Sequence, residues 1–476
     1  MFTWSTSLGQ IIDNSIESQS FMYKQLRPLL TNMNASHDPF ILKLLPEIAS
    51  YIFFLSMGKW DTCEIPSEGD CLPMLFLLGA VCSGWRQLAR STPALWTRLA
   101  FTLSRASKVM RALPDLVADW LQWSGGLPLT LGVSSCAIYS DPPQDRHILV
   151  IDTLNQHSGH WSQVEFKLPP NYVSRLCGSS PPKYLCNLSI TTDDEDETNL
   201  PLTFKMNTRP NPMKLKIFGF LLEGVDVSWD NHVHLDLSWT TFDGVLQVIR
   251  NAPLLEICSL SFILPLIDDF HIPKIIIHHP YLRTLQLLFM EQTDVFHKLI
   301  NSLELPSLES WSVELVELEE SMVLDIMTSF LKHSGCKLKS LKMEQGQVPT
   351  VEDFKRFLQA APCLQCLHVA YPTYVRSLTP VMDNILEWIS ASPLMQTDHT
   401  ARFLSDLQSL QLSGCELNTW TCIPLIFQLP HRKLLKVDID MYSVTISDDV
   451  LGELVQLVDQ GIELDIYDRS KFSLVI

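Results

Sequence analysis

One short pattern constrains this chain more than any other feature: an apolar residue, two variable positions, a second apolar residue, one variable position and a third apolar residue. It occurs at Leu255/Cys258/Leu260, Leu282/Leu285/Leu287, Leu308/Trp311/Val313 and Leu338/Leu341/Met343. It returns at Leu364/Leu367/Val369, Leu407/Leu410/Leu412 and Leu434/Val437/Ile439, with successive starts 27, 26, 30, 26, 43 and 27 residues apart. A period of this length describes a stack of like units, none of which buries its apolar face alone. The last two apolar positions alternate as on a strand with one face in a core. Segments between them, such as Val351 to Ala361 and Phe242 to Arg250, have helical periodicity. Pro stands two residues before the first anchor in four units (Pro253, Pro280, Pro306, Pro362). The expected fold class is therefore α/β, each strand of a parallel sheet being followed by a helix. Weaker copies at Leu185/Leu188/Ile190 and Leu215/Phe218/Phe220 start the array near residue 181, and the 43-residue interval holds an insertion or a degenerate unit.

Alternation also names the side chains facing away from that core. They are Thr284 and Gln286, Ser310 and Ser312, Ser340 and Lys342, Cys366 and His368, Ser409 and Gln411, Lys436 and Asp438. The set is mostly small and polar, a surface on which a flat partner can lie.

The unit from Leu407 to Leu417 (Leu407, Leu410, Leu412, Cys415, Leu417) resembles the full leucine-rich-repeat signature. The resemblance implies a solenoid over residues 181–476 with a C-terminal cap, its curved parallel sheet on the concave side and its helices on the convex side. The outward strand residues would then form a concave target-binding face. Met290, Val316 and Gly346 stand where that family places Asn or Cys, so the solenoid is expected to be irregular.

Residues 38–99 carry a second signal. Leu44-Leu45-Pro46-Glu47-Ile48 opens a helix, with Pro and an acid suited to a first turn and Ile48, Ile52 and Leu55 on one face. A second amphipathic helix runs from Leu77 to Ala89 through Val81-Cys82 and Trp85-Arg86, before Thr92-Pro93 and Leu95-Trp96. This combination resembles the F-box, and is similar in particular to F-box proteins of mushroom-forming fungi, which also insert residues between the first two helices. Here the insert runs from about Gly58 to Leu72. Trp120 to Gly125, Pro128 to Leu131 and His157 to Trp161 also have counterparts in those proteins. The departures are Leu45, where the family often has a proline, and Gly84 within the second helix.

The resemblance implies an all-helical docking module at 38–99; the residues themselves give a connecting segment of mixed helical and strand-like stretches at 100–180 and a polar segment at 1–37, either disordered or packed on the module. The resemblance also implies the function of a substrate receptor in a Skp–cullin–F-box ubiquitin ligase. Leu44, Pro46, Ile48, Ile52, Leu78, Val81, Cys82 and Trp85 would meet a Skp-type adaptor, through it a cullin, while the repeats hold a target protein. The alternative is a non-catalytic repeat scaffold that works outside any ligase.

Composition narrows the other classes. With 46% hydrophobic and 18% charged residues the chain can build a large core. A net charge of −18 and no dense basic stripe argue against nucleic-acid binding. The Met-Phe-Thr-Trp start lacks a secretory pattern, no apolar run approaches a membrane span, and the 12 cysteines read as reduced thiols. A cytoplasmic or nuclear protein, without membrane association, is expected. Cys363-x-x-Cys366 lacks the second cluster of a zinc site, and His157/His160 lack a carboxylate at ligand spacing. The acidic run Asp193 to Glu197 lacks the alternation and Gly of a calcium loop. No Gly-x-Ser-x-Gly, phosphate-binding Gly loop or His-Glu-x-x-His occurs. The expectation is a protein that is not an enzyme, with no catalytic residue, metal or cofactor.

Overall fold

The computed structural model describes residues 43–57, 64–65, 74–103, 108–135, 144–192, 203–264, 276–290, 292–315, 320–345, 350–371, 380–391, 403–414, 417–442, 444–471 and 473–475. The segment 1–37, most of the insert after Gly58, the acidic run Asp193 to Glu197, and Val316, Gly346 and Cys415 lie outside the described residues. The chain divides into two compact units. The first ends at Ile190 and also takes in Met206–Thr208; the second holds the remainder.

The first unit opens with helices. In α1 (Pro46–Ser56) Pro and Glu47 occupy the first turn, and only Ala49 and Phe53 are buried. Helices α2 (Met74–Val81) and α3 (Ser83–Arg90) are separated by Cys82, whose backbone is extended and whose Sγ accepts the Trp85 N–H at 3.4 Å. The single helix expected from Leu77 to Ala89 is thus two, because a cap at Cys82 satisfies a donor that a continuous helix would direct to a carbonyl. Gly84 consequently lies in the first turn of α3, and the mid-helix cost of about 0.5–1 kcal/mol does not apply to it.

Phe53 and Trp85 join α1 to α3 with ring centroids 5.0 Å apart. A 3-10 turn at Pro93–Trp96 then buries Leu95 and Trp96. The Trp96 indole donates to the Ala89 carbonyl at 2.7 Å and packs edge-on against Trp120 and Trp123 of α4 (Lys108–Trp123), at 4.9 and 4.5 Å.

The sheet of this unit has the order β1 (Glu64–Ile65), β2 (Arg98–Leu103), β3 (Leu129–Ser135), β4 (Trp161–Lys167), β5 (Asn187–Thr191). The pairs β1–β2, β2–β3 and β3–β4 are parallel. Parallel neighbours need a crossover, supplied by α4 and by α5 (Asp145–Gln156). Strand–helix alternation therefore begins at Arg98, ahead of the leucine pattern. Leu99/Phe101/Leu103 and Leu129/Leu131/Val133 are buried.

In the second unit the order is β6 (Lys214–Phe218), β7 (His234–Ser238), β8 (Ile257–Ser261), β9 (Thr284–Met290), β10 (Ser310–Leu315), β11 (Ser340–Gln345), β12 (Cys366–Ala370), β13 (Ser409–Gly414), β14 (Lys436–Met441), β15 (Leu464–Asp468), β16 (Ser473–Leu474). Neighbours are parallel up to β15, and β16 is antiparallel to it. Equivalent anchors stand opposite one another: Leu285, Trp311, Leu341, Leu367, Leu410 and Val437 form one buried row. Each fully buried side chain of this kind contributes roughly 1.5–3 kcal/mol.

The crossovers of this unit are α6 (Phe242–Asn251), α7 (Thr293–Asn301), α8 (Glu320–Ser334), α9 (Val351–Gln359), α10 (Pro380–Ser390), α11 (Cys422–Gln428) and α12 (Asp448–Asp459). From α7 onward, consecutive helices pack side by side. β12 and β13 are direct neighbours, so the long interval between them adds α10 to the helical layer and, among the described residues, no strand to the sheet.

The prolines before the anchors have a common role. In Ala252-Pro253-Leu254-Leu255 the Leu255 N–H returns to the Ala252 carbonyl at 3.2 Å, and Leu305–Leu308 and Ala361–Leu364 repeat the turn. Pro at its second position pre-sets φ. The fourth turn differs: Leu282 N–H donates to His279 Nδ1 at 3.2 Å, which leaves the ring proton on Nε2 to donate to the Ala252 carbonyl at 3.0 Å.

Two anchors are not where the pattern puts them. Leu434 is 95% exposed and Leu435 is buried in its place. The turn here is a 3-10 segment at Pro430–Arg432, whose buried guanidinium donates to the Phe403 carbonyl at 2.8 Å, and Leu435 N–H returns to the Arg432 carbonyl. That moves the anchor one residue towards β14. In β6 the inward residues are Leu215 and Ile217, opposite Leu235 and Leu237, while Phe218 is only half-buried, so the Leu215/Phe218/Phe220 reading lies three residues too far along the chain.

Candidate functional site

Two surfaces stand out, one in each unit. On α1, Ile48, Tyr51, Ile52 and Leu55 stand at helical i, i+3, i+4 and i+7 spacing, and all four are exposed, Ile48 by 48% and Leu55 by 63%. Leu77 and Val81 of α2 are exposed as well. A helix that is apolar all round belongs in a buried setting, yet α1 buries two residues. Contiguous exposed apolar surface of this sort marks an interaction site.

The residues named for this surface separate into three groups. Pro46, Ile48, Ile52 and Val81 are exposed; Leu44, Cys82 and Trp85 are half-buried; Leu78 is buried in the unit's own core. Trp85 spends its ring on Phe53 and its N–H on Cys82. Tyr51, Leu55 and Leu77 were not among the named residues. For Tyr51 and Leu55 the signal was the run of apolar residues from Tyr51 to Leu55, too many for one buried stripe; for Leu77 it was the equally apolar run from Met74 to Val81.

Beside α2 and α3 lies an open cleft of about 270 Å³ lined by Leu75, Phe76, Arg86, Arg90, Trp96 and Trp123. The Arg90 guanidinium covers the Trp123 ring at 4.7 Å, and Arg86 Nε donates to the Gly79 carbonyl at 2.8 Å.

In the second unit the outward sheet residues form transverse rows. Thr284, Ser310, Ser340, Cys366, Ser409 and Lys436 are opposite one another, and the next row runs Gln286, Ser312, Lys342, His368, Gln411, Asp438. Lys342, Cys366 and Lys436 are exposed and the others half-buried. Cross-strand bonds lock part of the face: Ser259 donates to Gln286 at 2.8 Å and Gln411 to Asp438 at 3.1 Å. Burial, then repulsion from Asp465 and Asp440, raises the Asp438 carboxyl above its ordinary range. Burial, then the nearby Lys342 ammonium, lowers His368.

A third row carries the features that strand patterning missed. The residue after β7 is Trp239, the residue after β8 is Phe262, and Phe289 is the extra residue of a bulge in β9. All three have left-handed backbones, at φ 57°, 50° and 52°. For residues with a Cβ this costs roughly 1–2 kcal/mol each. Their rings are parallel, Trp239 to Phe262 at 4.8 Å and Phe262 to Phe289 at 4.7 Å, which is the strand spacing itself. Gly219 (φ 83°) occupies the corresponding position after β6, where any Cβ would run into Thr192. The available signal was an aromatic two residues beyond the third apolar position: Leu237 to Trp239, Leu260 to Phe262, Leu287 to Phe289.

Beyond the bulge the row becomes acidic. Glu314 faces Glu344 on the next strand. Burial, then repulsion from Glu344, raises the Glu314 carboxyl.

Cys363 and Cys366 are both free thiols, and Cys366 is exposed on the sheet face. His157 and His160, ring centroids 6.5 Å apart, turn the chain into β4. Among the described residues no group of His, Cys, Asp and Glu is arranged to hold a metal ion, and no helix is long and apolar enough to cross a membrane. Comparison with known proteins matches no family and no curated protein to this chain.

Proposed function

We propose that this chain is the target-recognition subunit of a Skp–cullin–F-box ubiquitin ligase, an F-box module joined to an irregular leucine-rich-repeat solenoid. The observation carrying this reading is the exposed apolar face of α1 with Leu77 and Val81 of α2, in the segment that resembles the F-box. Pro46, Ile48, Ile52 and Val81 would make the principal contacts to the Skp-type adaptor, joined by Tyr51, Leu55 and Leu77. Leu78 and Trp85 act indirectly, by holding α1, α2 and α3 in place.

In this reading the chain performs no chemistry. Target and ubiquitin-loaded enzyme are held in one assembly, and the rate gain comes from effective concentration. The target lies on the outward sheet face of the second unit, whose polar residues are carried by the buried ladder beneath them and tied in part by cross-strand hydrogen bonds.

The test is co-expression with a Skp-type adaptor and co-purification, beside the double variant Ile48→Asp, Leu55→Asp. Both changed residues are exposed, so the variant should fold. A complex with the parent chain that is lost in the variant supports the reading. A folded parent chain that takes no adaptor rejects it and leaves a repeat-based scaffold.

A further inference from the structure

The stack of Trp239, Phe262 and Phe289 has two different ends. On one side the neighbouring position is Gly219, which offers no side chain. On the other, the strand beside Phe289 carries Glu314 opposite the bulge, since Leu287 pairs Val313 and Met290 pairs Leu315. Glu344 then faces Glu314. The row thus passes from three parallel rings to two mutually repelling carboxylates within successive strand spacings of about 4.8 Å. Trp239 and Phe289 are exposed.

Lys342 offsets the repulsion at Glu314 only in part, and Arg469 lies within the field of Glu344, so a partner for this surface needs a planar group that continues the stack and a further positive charge for the carboxylate pair. A guanidinium has both: it stacks on aromatic faces and donates in a fork matched to carboxylates. An ammonium satisfies only the charge. The chain's net charge of −18 favours a basic partner at long range as well.

We propose that this row captures an arginine-bearing basic segment of a protein partner, one guanidinium lying on the outer face of Phe289 and paired with Glu314 and Glu344. The inference rests on reading the outward sheet face as a target surface; it does not require the ligase reading.

The test uses the full chain and a fluorescent peptide of alternating glycine and arginine, with a glycine–lysine peptide as comparison, read by anisotropy at physiological ionic strength. The arginine peptide should bind at least about fivefold more tightly than the lysine peptide. The double variant Glu314→Gln, Glu344→Gln should weaken it at least about tenfold. Phe289→Leu should reduce the preference for arginine. Asp448→Asn with Asp449→Asn, exposed acids at the start of α12, should leave affinity unchanged. Absence of binding, equal binding of both peptides, or equal loss in the α12 variant would overturn the proposal. Adaptor capture is read separately. A chain that binds adaptor but not peptide sinks this inference alone, and the reverse result sinks only the ligase reading.

Discussion

The Trp85 ring lies against Phe53 with centroids 5.0 Å apart, so the residue that best identifies the second helical segment is spent on holding α1 in place. Phe53 is 1% exposed, whereas Ile48 on the same helix is 48% exposed. Phe53→Ala should therefore cost about 3–5 kcal/mol of stability. Ile48→Asp should cost under about 1 kcal/mol, as exposed positions do, while abolishing docking. Thermal unfolding of both variants checks the contrast, and equal destabilisation would mean that α1 is packed on the side described as open.

His279 links consecutive turns through two bonds, accepting from Leu282 N–H and donating to the Ala252 carbonyl. It is 3% exposed, and losing the ring strands the buried Leu282 N–H, while the Ala252 carbonyl keeps the Leu255 N–H. His279→Ala should destabilise the chain by roughly 1–3 kcal/mol, the cost of one buried backbone donor left unpaired. Denaturant unfolding would show this as a lower midpoint.

His232 is fully buried, and burial lowers its pKa to about 4, opposed by the Trp229 carbonyl and by Asp230. The unfolded ring, near 6.5, binds a proton that the folded ring refuses, so stability falls as pH drops from about 6.5 to 4. The full loss is on the order of 3 kcal/mol, at about 1.4 kcal/mol per pKa unit. His232→Leu should narrow the difference in Tm between pH 7.5 and pH 5. An unchanged difference would assign the acid sensitivity to other groups.

Burial, then the field of Asp236, pushes the Cys258 thiol up to about 12. Cys258 should resist alkylation in the native chain at neutral pH, while Cys366, exposed on β12, reacts. Mass spectrometry after brief iodoacetamide treatment distinguishes them; rapid labelling of Cys258 would place it outside the core.

The sheet of the second unit was legible because each anchor must be apolar to fill the same buried row. Leu410 and Val437 could be read from spacing alone, but Leu434 could not, because the turn before it is built on Arg432 and starts one residue later. The earlier strands were harder to see: Leu99/Phe101/Leu103 alternates correctly, but the anchor position three residues upstream holds Trp96, which reads as the end of the helical module and not as a repeat leucine. The exposed apolar residues on α1 were partly legible, since Ile48 and Ile52 lie on one stripe. Spacing alone did not separate exposed Val81 from buried Leu78, because the break at Cys82 depends on a local cap. The aromatic row was missed for a different reason. Trp239, Phe262 and Phe289 sit at positive φ just past or within a strand, where alternation no longer assigns a face.

The docking face proposed for α1 and α2 can be checked by hydrogen exchange of the full chain with and without a saturating Skp-type adaptor. Added protection is expected in residues 46–56 and 74–81, and none in the strands of the second unit. A complex that leaves those helices unprotected, or protects only the sheet, would contradict it.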